Sequence, residues 1–403
     1  MRIPALVQKV FKTKDYTLEE VHAIYSTNVI ANFAQSLLGI FIPIYIFNLT
    51  HKNEVISSDP ISNGMLWVII FFSIWSLAVV INSLLSPKII FKLSLKKSLF
   101  ISEFFLICSY VFLFLAEQNA FFVIVAALFG GMHTTYYWIP YHIFFVKKAD
   151  DGDKKYGSEV GKRDFLVNLA SSMAPLLGAL IIAQIGFPFL YGIAILMLLV
   201  ATLPILIFVQ ENPHRNHEFK DVFLKFLWNK KYITTTIALS GNIISNVVFA
   251  IFWSLMLYFG LQSFVEIGLI TTFSGILAMI LLIVVGRLID TKGKLGIHSI
   301  GVTLNTILHL TRPFFSSTAF LYGNGIVDNI NSPAYGVPFN AAIYEKSLEG
   351  SVSDFIVYRE LVLHGARLIF LVVIGLVLYL TNSWIWTFYL GALGSLLTFL
   401  VNF

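Results

Sequence analysis

Ionisable side chains sit where the chain is otherwise apolar, and their spacing limits the chemistry open to this protein. Asp328 shares a helical face with Asn324, Asn331 and Tyr335, and Glu360, His364 and Arg367 repeat that spacing further along. A carboxylate or guanidinium in hydrocarbon costs on the order of several kcal/mol unless compensated, so each marks a partner, a substrate or a proton path. Opposite charges so placed read either as a lock between two helices or as the holder of an ionic substrate or a proton. His364 and His133 are candidate proton carriers, because imidazole titrates near neutral pH; each equally suits a bond to a backbone carbonyl.

A second set of polar residues is written twice. "STNVIAN" at 26–32 returns as "SGNIISN" at 240–246, so that Ser26, Asn28, Ile30 and Asn32 are answered by Ser240, Asn242, Ile244 and Asn246. "YWIPY" at 137–141 returns as "YGVPF" at 335–339, aligning Tyr137 with Tyr335 and Pro140 with Pro338. Arg163-Asp164 is likewise answered by Arg359-Glu360, whereas the positions matching Asp328 and Arg367 hold Gly130 and Ser171. Asn28, Asn32, Gln35 and Gly39 fall on one face, and Asn242 and Asn246 crowd one end of theirs. Such amides serve as bonds between helices or as the wall of a wet cavity.

The elements that position these residues follow from composition. Of 403 residues 57% are hydrophobic and 12% charged, about half the charged share of an ordinary soluble chain. Apolar runs long enough to span hydrocarbon as helices fall near 19–49, 62–85, 98–116, 120–146, 164–185, 187–209, 232–260, 264–285, 296–311, 316–345, 360–380 and 383–402. A barrel would show short alternating segments instead. The fold class is therefore all-α integral membrane, with twelve transmembrane helices and the lipid bilayer as first partner. The first span is expected to be retained rather than cleaved as a signal peptide. His142 and His309 are expected at the membrane interface, and Glu103 within reach of cytoplasmic lysines.

Four regions follow: a cytoplasmic amphipathic segment (1–18), a six-helix bundle (19–209), a linker (210–231) with an amphipathic helical pattern, and a second six-helix bundle (232–403). Because the matched segments fall one in each half, the bundles are expected to be pseudo-symmetric copies, an architecture of secondary transporters with substrate held between the halves. The single cysteine, Cys108, excludes internal disulfides and thiolate metal clusters. No metal-ligand spacing, nucleophile turn or phosphate-cradling loop is present. The expectations are no enzyme activity, no cofactor, no metal, no nucleic-acid partner and a monomer.

The segment "GRLIDTKGK" places Gly286, Asp290, Gly293 and Lys294 at the spacing of the loop signature of the major facilitator superfamily, which the chain resembles. The matching loop after span 2, "SPKIIFKLSLKK", keeps the basic residues without the glycines and aspartate. "APLLGA" at 174–179 resembles the span-5 signature of that family's proton-coupled exporters. The resemblance implies the family's fold, a central cavity lined by spans 1, 7, 10 and 11, an Asp328–Arg367 ion pair between the neighbouring spans 10 and 11, and an inner gate in which Asp290 meets Arg163 or Arg359. It also implies proton-coupled transport of a small molecule, favouring export; an ion-coupled uptake symporter, or a membrane receptor or channel, are the other readings.

Placement of charge orients the chain. With the N-terminus in the cytoplasm, all of the 27 lysines and arginines except Lys52, Arg312 and Arg367 fall in cytoplasmic segments. Both termini are then cytoplasmic, in a cell membrane and most simply a bacterial inner membrane. Cysteines placed singly at positions 154 and 225 should resist an impermeant thiol reagent applied outside, and one at Asn53 should react. Outside labelling at 154 would reverse the orientation.

Overall fold

The computed structural model describes residues 18–50, 56–57, 59–85, 87–150, 156–209, 226 and 229–401. α1 runs Leu18–Leu38 and resumes as Phe41–Thr50; α2 is Pro60–Leu85, α3 Leu95–Leu115 and α4 Phe121–Asp150. α5 runs Tyr156–Ser171 and resumes as Ala174–Gln184, followed by α6, Phe187–Phe208. α7 spans Lys230–Leu261, α8 Phe264–Lys292, α9 Lys294–Thr311, α10 Thr318–Ser347, α11 Val352–Thr381 and α12 Trp386–Leu400. Among the described residues nine helices are long and apolar enough to cross a membrane; α9, α10 and α12 are the shorter or more polar remainder.

Local chemistry sets the helix starts. Ser94, Ser263, Ser317 and Ser351 each accept a backbone N–H three residues on, capping α3, α8, α10 and α11. α8 is cut from α9 at Gly293, whose φ of 89° suits glycine. Helices outrun the apolar segments, because a charge ends an apolar run without interrupting backbone hydrogen bonds. α5 thus begins at Tyr156, α8 ends at Lys292 and α11 begins at Val352. Arg163-Asp164, Asp290 and Arg359-Glu360 consequently lie inside helices rather than in loops.

The wiring is duplicated. α1 packs on α2, α5 and α6, α3 on α4 and α6, and α2 on α4; correspondingly α7 packs on α8, α11 and α12, α9 on α10 and α12, and α8 on α10. Two pseudo-symmetric six-helix bundles result. They meet along two long seams, α2 on α11 and α5 on α8. Loops carrying Asn53, Lys154 and Lys225, the first 17 residues and most of the 210–231 linker lie outside the described residues. Within that linker, Phe226 is buried and stacks on Tyr358 of α11 at 5.1 Å. Lys231, at the start of α7, reaches Glu349 in the α10–α11 turn at 2.9 Å, and that bond holds the Glu349 carboxyl below the usual carboxylate range.

At the α5 seam backbones touch. A Cβ on Gly161 of α5 would stand 2.6 Å from the carbonyl oxygen of Leu282 in α8, and one on Gly268 of α8 would stand 2.9 Å from that of Pro175 in α5. Neither carbonyl can rotate away as a side-chain end would. Gly268→Val should therefore destabilise the protein by about 1–3 kcal/mol through overpacking, read as a lower thermal midpoint in detergent. Gly192→Val, with no atom within 4 Å of its new Cβ, should leave that midpoint unchanged. An unchanged midpoint for Gly268→Val would show that the seam is looser than described.

Candidate functional site

Between the bundles lies a cavity of about 530 Å³ walled by α1, α2, α4 and α5 on one side and α7, α10 and α11 on the other. The halves also touch at both ends. At the basic end, where α4 and α10 finish, Tyr344 Oη and His142 Nδ1 are 2.8 Å apart and the rings of Phe145 and Tyr344 lie at 5.2 Å. At the opposite end Phe47 meets Phe259 at 5.0 Å, Phe41 meets Phe264 at 6.1 Å, and Tyr258 donates to Asn48 Oδ1 at 2.9 Å.

The α11 face supplies the cavity's densest charge. Arg359, Glu360, His364 and Arg367 all line it, because helical spacing puts them on successive turns of one side. Arg359 pairs with its neighbour Glu360. His364 Nε2 stands 3.8 Å from the same carboxylate, and its Nδ1 is buried without a partner. Arg367 lays its guanidinium over the Phe72 ring of α2 at 5.0 Å, and its Nε has no acceptor.

The repeated amides turn out to be repeated bonds. Asn28 of α1 donates to the Tyr137 hydroxyl of α4, and Asn242 of α7 points its amide at the Tyr335 hydroxyl of α10 at 3.5 Å. Asn32 then donates to the Asn28 carbonyl at 2.7 Å, while Asn246 donates to Asn242 Oδ1 at 3.1 Å. Asn28 and Asn32 reach the cavity wall, and Asn28 Oδ1 is buried with no partner. Gln35 is half-buried and not on that wall. His133 is not on it either. Its Nδ1 lies 2.9 Å from the Ser102 carbonyl of α3, as Asn331 Nδ2 lies 2.8 Å from the Gly301 carbonyl of α9; the duplication identifies His133 as a bond between helices.

Asp328 does not pair with Arg367. It pairs with Arg312, which follows α9 in a short helical turn and is wholly buried rather than external. α10 is flanked by α8 and α9 while α11 packs on α2 and α7, so the two expected partners stand on different sides of the bundle. Arg312 Nε donates to Asn324 Oδ1 at 3.0 Å, its Nη1 lies 3.0 Å from His309 Nδ1, and the guanidinium sits over Trp253 at 4.4 Å. His309 Nε2 in turn meets Ser245 Oγ at 3.0 Å, to which Asn305 Nδ2 donates at 2.9 Å. His309 and His142 are accordingly buried within the protein. Asp328, Asn246, Asn331 and Tyr335 border a separate recess of about 70 Å³.

One further expectation changes. Glu103 is fully buried in α3 with both carboxyl oxygens unpartnered, and so reaches no lysine. In the gate motif, Gly286 lets α5 approach, its Cα standing 3.2 Å from a Cβ built on Gly161. Lys294 binds Glu345 at 2.5 Å, Arg359 is held by Glu360, and the Arg163 side chain lies outside the described residues. The sequence reading missed Arg312, although Asn305, His309 and Arg312 form a polar stripe at helical spacing that would have revealed it. It also missed the wider π-helical turn at Val248–Trp253 of α7, whose Phe249, Ala250 and Trp253 line a second, more apolar recess of about 210 Å³. Among the described residues no group of His, Cys, Asp and Glu can hold a metal ion.

No curated protein matches the chain. Among solved structures the fold is similar to that of the human organic anion transporter MFSD10 (TM-score 0.70, 13% identity, covering 95% of this chain and 99% of that one). It is also similar to FucP, the E. coli fucose:proton symporter (TM-score 0.64, 13% identity, covering 94% and 96%). A family model described as Major Facilitator Superfamily matches residues 152–353, half of the chain, from the start of α5 to the start of α11. That stretch holds the α5–α8 seam and the junction of the two bundles, and with the duplicated wiring it establishes that the chain belongs to the major facilitator superfamily.

Proposed function

We propose that the chain is a secondary active transporter that moves a small molecule between its bundles by alternating access, coupled to protons and working in the direction of export. The observation that carries this reading is a cavity walled by both halves, with separate contacts closing toward it at each end. Alternating access needs the end contacts to open one at a time while the seams hold. The α4–α10 and α1–α7 contacts are small enough to do so. Proton coupling rests on Glu360 and His364, titratable groups on the cavity wall; export rests on the "APLLGA" resemblance in α5. The positive-inside tally puts the basic end and both termini in the cytoplasm of a cell membrane, most simply a bacterial inner membrane, with the protein as a monomer.

Asp328 and Arg312 receive a different role. Their hydrogen bonds stay inside the C-terminal bundle, so they lock α9 to α10 and leave substrate handling to α11.

Spin labels on cysteines at Lys92 and Lys292 report the basic end, and labels at Asn119 and Ser316 the other, in a Cys108→Ala background. The two distances should change in opposite senses as pH or substrate is varied; parallel changes, or none, would refute alternating access. Glu360→Gln should abolish substrate-dependent proton movement in proteoliposomes, measured with an entrapped pH dye, and undiminished movement would remove Glu360 from coupling. Arg312→Gln leaves Asp328 buried and unpaired and should destabilise by about 3–5 kcal/mol. Adding Asp328→Asn should restore most of the thermal midpoint and keep transport, whereas a well-folded but inactive double variant would return the pair to the mechanism.

A further inference from the structure

Among the described residues Arg367 is a cavity cation to which the protein supplies no counter-charge. The acids nearest to it in the cavity wall are committed elsewhere: Glu360 to Arg359, and Asp164, on α5, to an interaction of its own. Arg312, which is wholly buried in the same bundle, has its carboxylate in Asp328. Arg367 has a ring instead. Phe72 of the opposite bundle covers the guanidinium at 5.0 Å, which steadies the cation without satisfying its N–H donors, and Nε is buried with no acceptor. One turn away, His364 Nδ1 is also buried with no partner. A buried polar group left unsatisfied in a structure otherwise rich in hydrogen bonds calls for an explanation, and here both residues line the same cavity.

We infer that Arg367 is the docking point for the anionic group of the transported molecule, which is a small organic anion bearing a carboxylate or phosphate. The guanidinium fork matches two oxygens of such a group in one plane, and His364 stands beside it. The walls fit the rest of the molecule: Trp75, Trp138 and Tyr141 border the cavity and offer apolar ring faces to a carbon skeleton. Its volume of about 530 Å³ lies within the roughly 300–1,000 Å³ usual for small-molecule sites. Because Phe72 belongs to one bundle and Arg367 to the other, an anion bound there also reports on how the halves sit. The inference deepens the transporter reading and rests on it for the word transported, while the binding itself is tested separately.

The test uses the full chain in detergent with no gradient. Phenylacetate, 2-naphthoate, succinate and phenyl phosphate are each compared with a neutral amide or alcohol and with an amine of the same skeleton, by thermal midpoint and by quenching of tryptophan fluorescence, to which Trp75 and Trp138 contribute. At least one anion should raise the midpoint while its neutral and cationic counterparts do not. Arg367→Gln should weaken that anion roughly tenfold or more, and Arg367→Lys, which keeps the charge but loses the fork, should weaken it less. If Arg367→Gln fails to fold, Arg367→Lys and Phe72→Leu carry the comparison, each expected to weaken the anion alone. Neutral or cationic analogues binding as well as the anions, no anion binding at all, or anion affinity unchanged in the variants would overturn the inference. Flux in proteoliposomes is scored apart: anion binding through Arg367 with no flux under any gradient would sink the transporter reading and leave the anion site standing.

Discussion

A guanidinium held in hydrocarbon needs a counter-charge or a ring face to stay there, and the C-terminal bundle is arranged around two of them. Arg312 is given everything: a carboxylate from α10, an amide oxygen from Asn324, an imidazole nitrogen from His309 and the Trp253 ring. Around it Ser245 and Asn305 extend the bonds to α7 and α9. Four elements are fixed to one another by a group that would otherwise be intolerable at that depth. Arg367 is given only Phe72, from the other half. The difference between a satisfied and an unsatisfied arginine divides the bundle into a part that holds its shape and a part left ready for something else.

The duplication shows which polar residues serve the architecture. Where the two halves make the same bond, as in Asn28–Tyr137 and Asn242–Tyr335 or His133–Ser102 and Asn331–Gly301, the bond belongs to the six-helix unit they share. Proline enforces some of the rest. Pro140 removes the N–H that would bond the Tyr136 carbonyl, and Ser98 Oγ replaces it from α3 at 2.8 Å. Where the halves differ, the physics differs too: opposite Asp328 stands Gly130, a position that lets the Trp75 ring pack directly against α4. One half fills that depth with a ring and the other with an ion pair.

The sequence carried the helices, their number and their duplication clearly, because apolar runs in a membrane chain are long and repeated segments align without gaps. It carried the cavity face of α11 for the same reason: Glu360, His364 and Arg367 obey helical spacing, and nothing else decides which way they point. It did not carry partners. Asp328 and Arg367 lie on consecutive helices, but consecutive helices in this fold need not pack side by side. Arg312 was hidden by the step from α9 into a short turn, since a charge followed by proline reads as a loop unless the polar stripe from Asn305 is followed through the helix end. Glu103 lay beyond any sequence rule, because burial of both its oxygens depends on how tightly α3 and α4 close.

The contacts between the halves divide by strength in a way that bears on motion. Along α5 and α8 the approach is backbone to backbone, at glycines where no side chain can be withdrawn. At the two ends, by contrast, the halves meet through ring edges and a few hydrogen bonds, Tyr344 with His142 and Tyr258 with Asn48. Bonds of that kind between membrane helices are worth only about 0.6 kcal/mol each on average, and an aromatic pair adds about 0.5–1.5 kcal/mol. Each end can therefore part for a few kcal/mol, within what an ion gradient or a bound molecule can supply, whereas separating a seam would expose packed backbone along much of a helix. Motion that follows the weaker contacts is a rocking about the seams, and the α11 face beside the α2 seam lies near its axis. Under the alternating access proposed above, groups there would keep their places while the ends exchange.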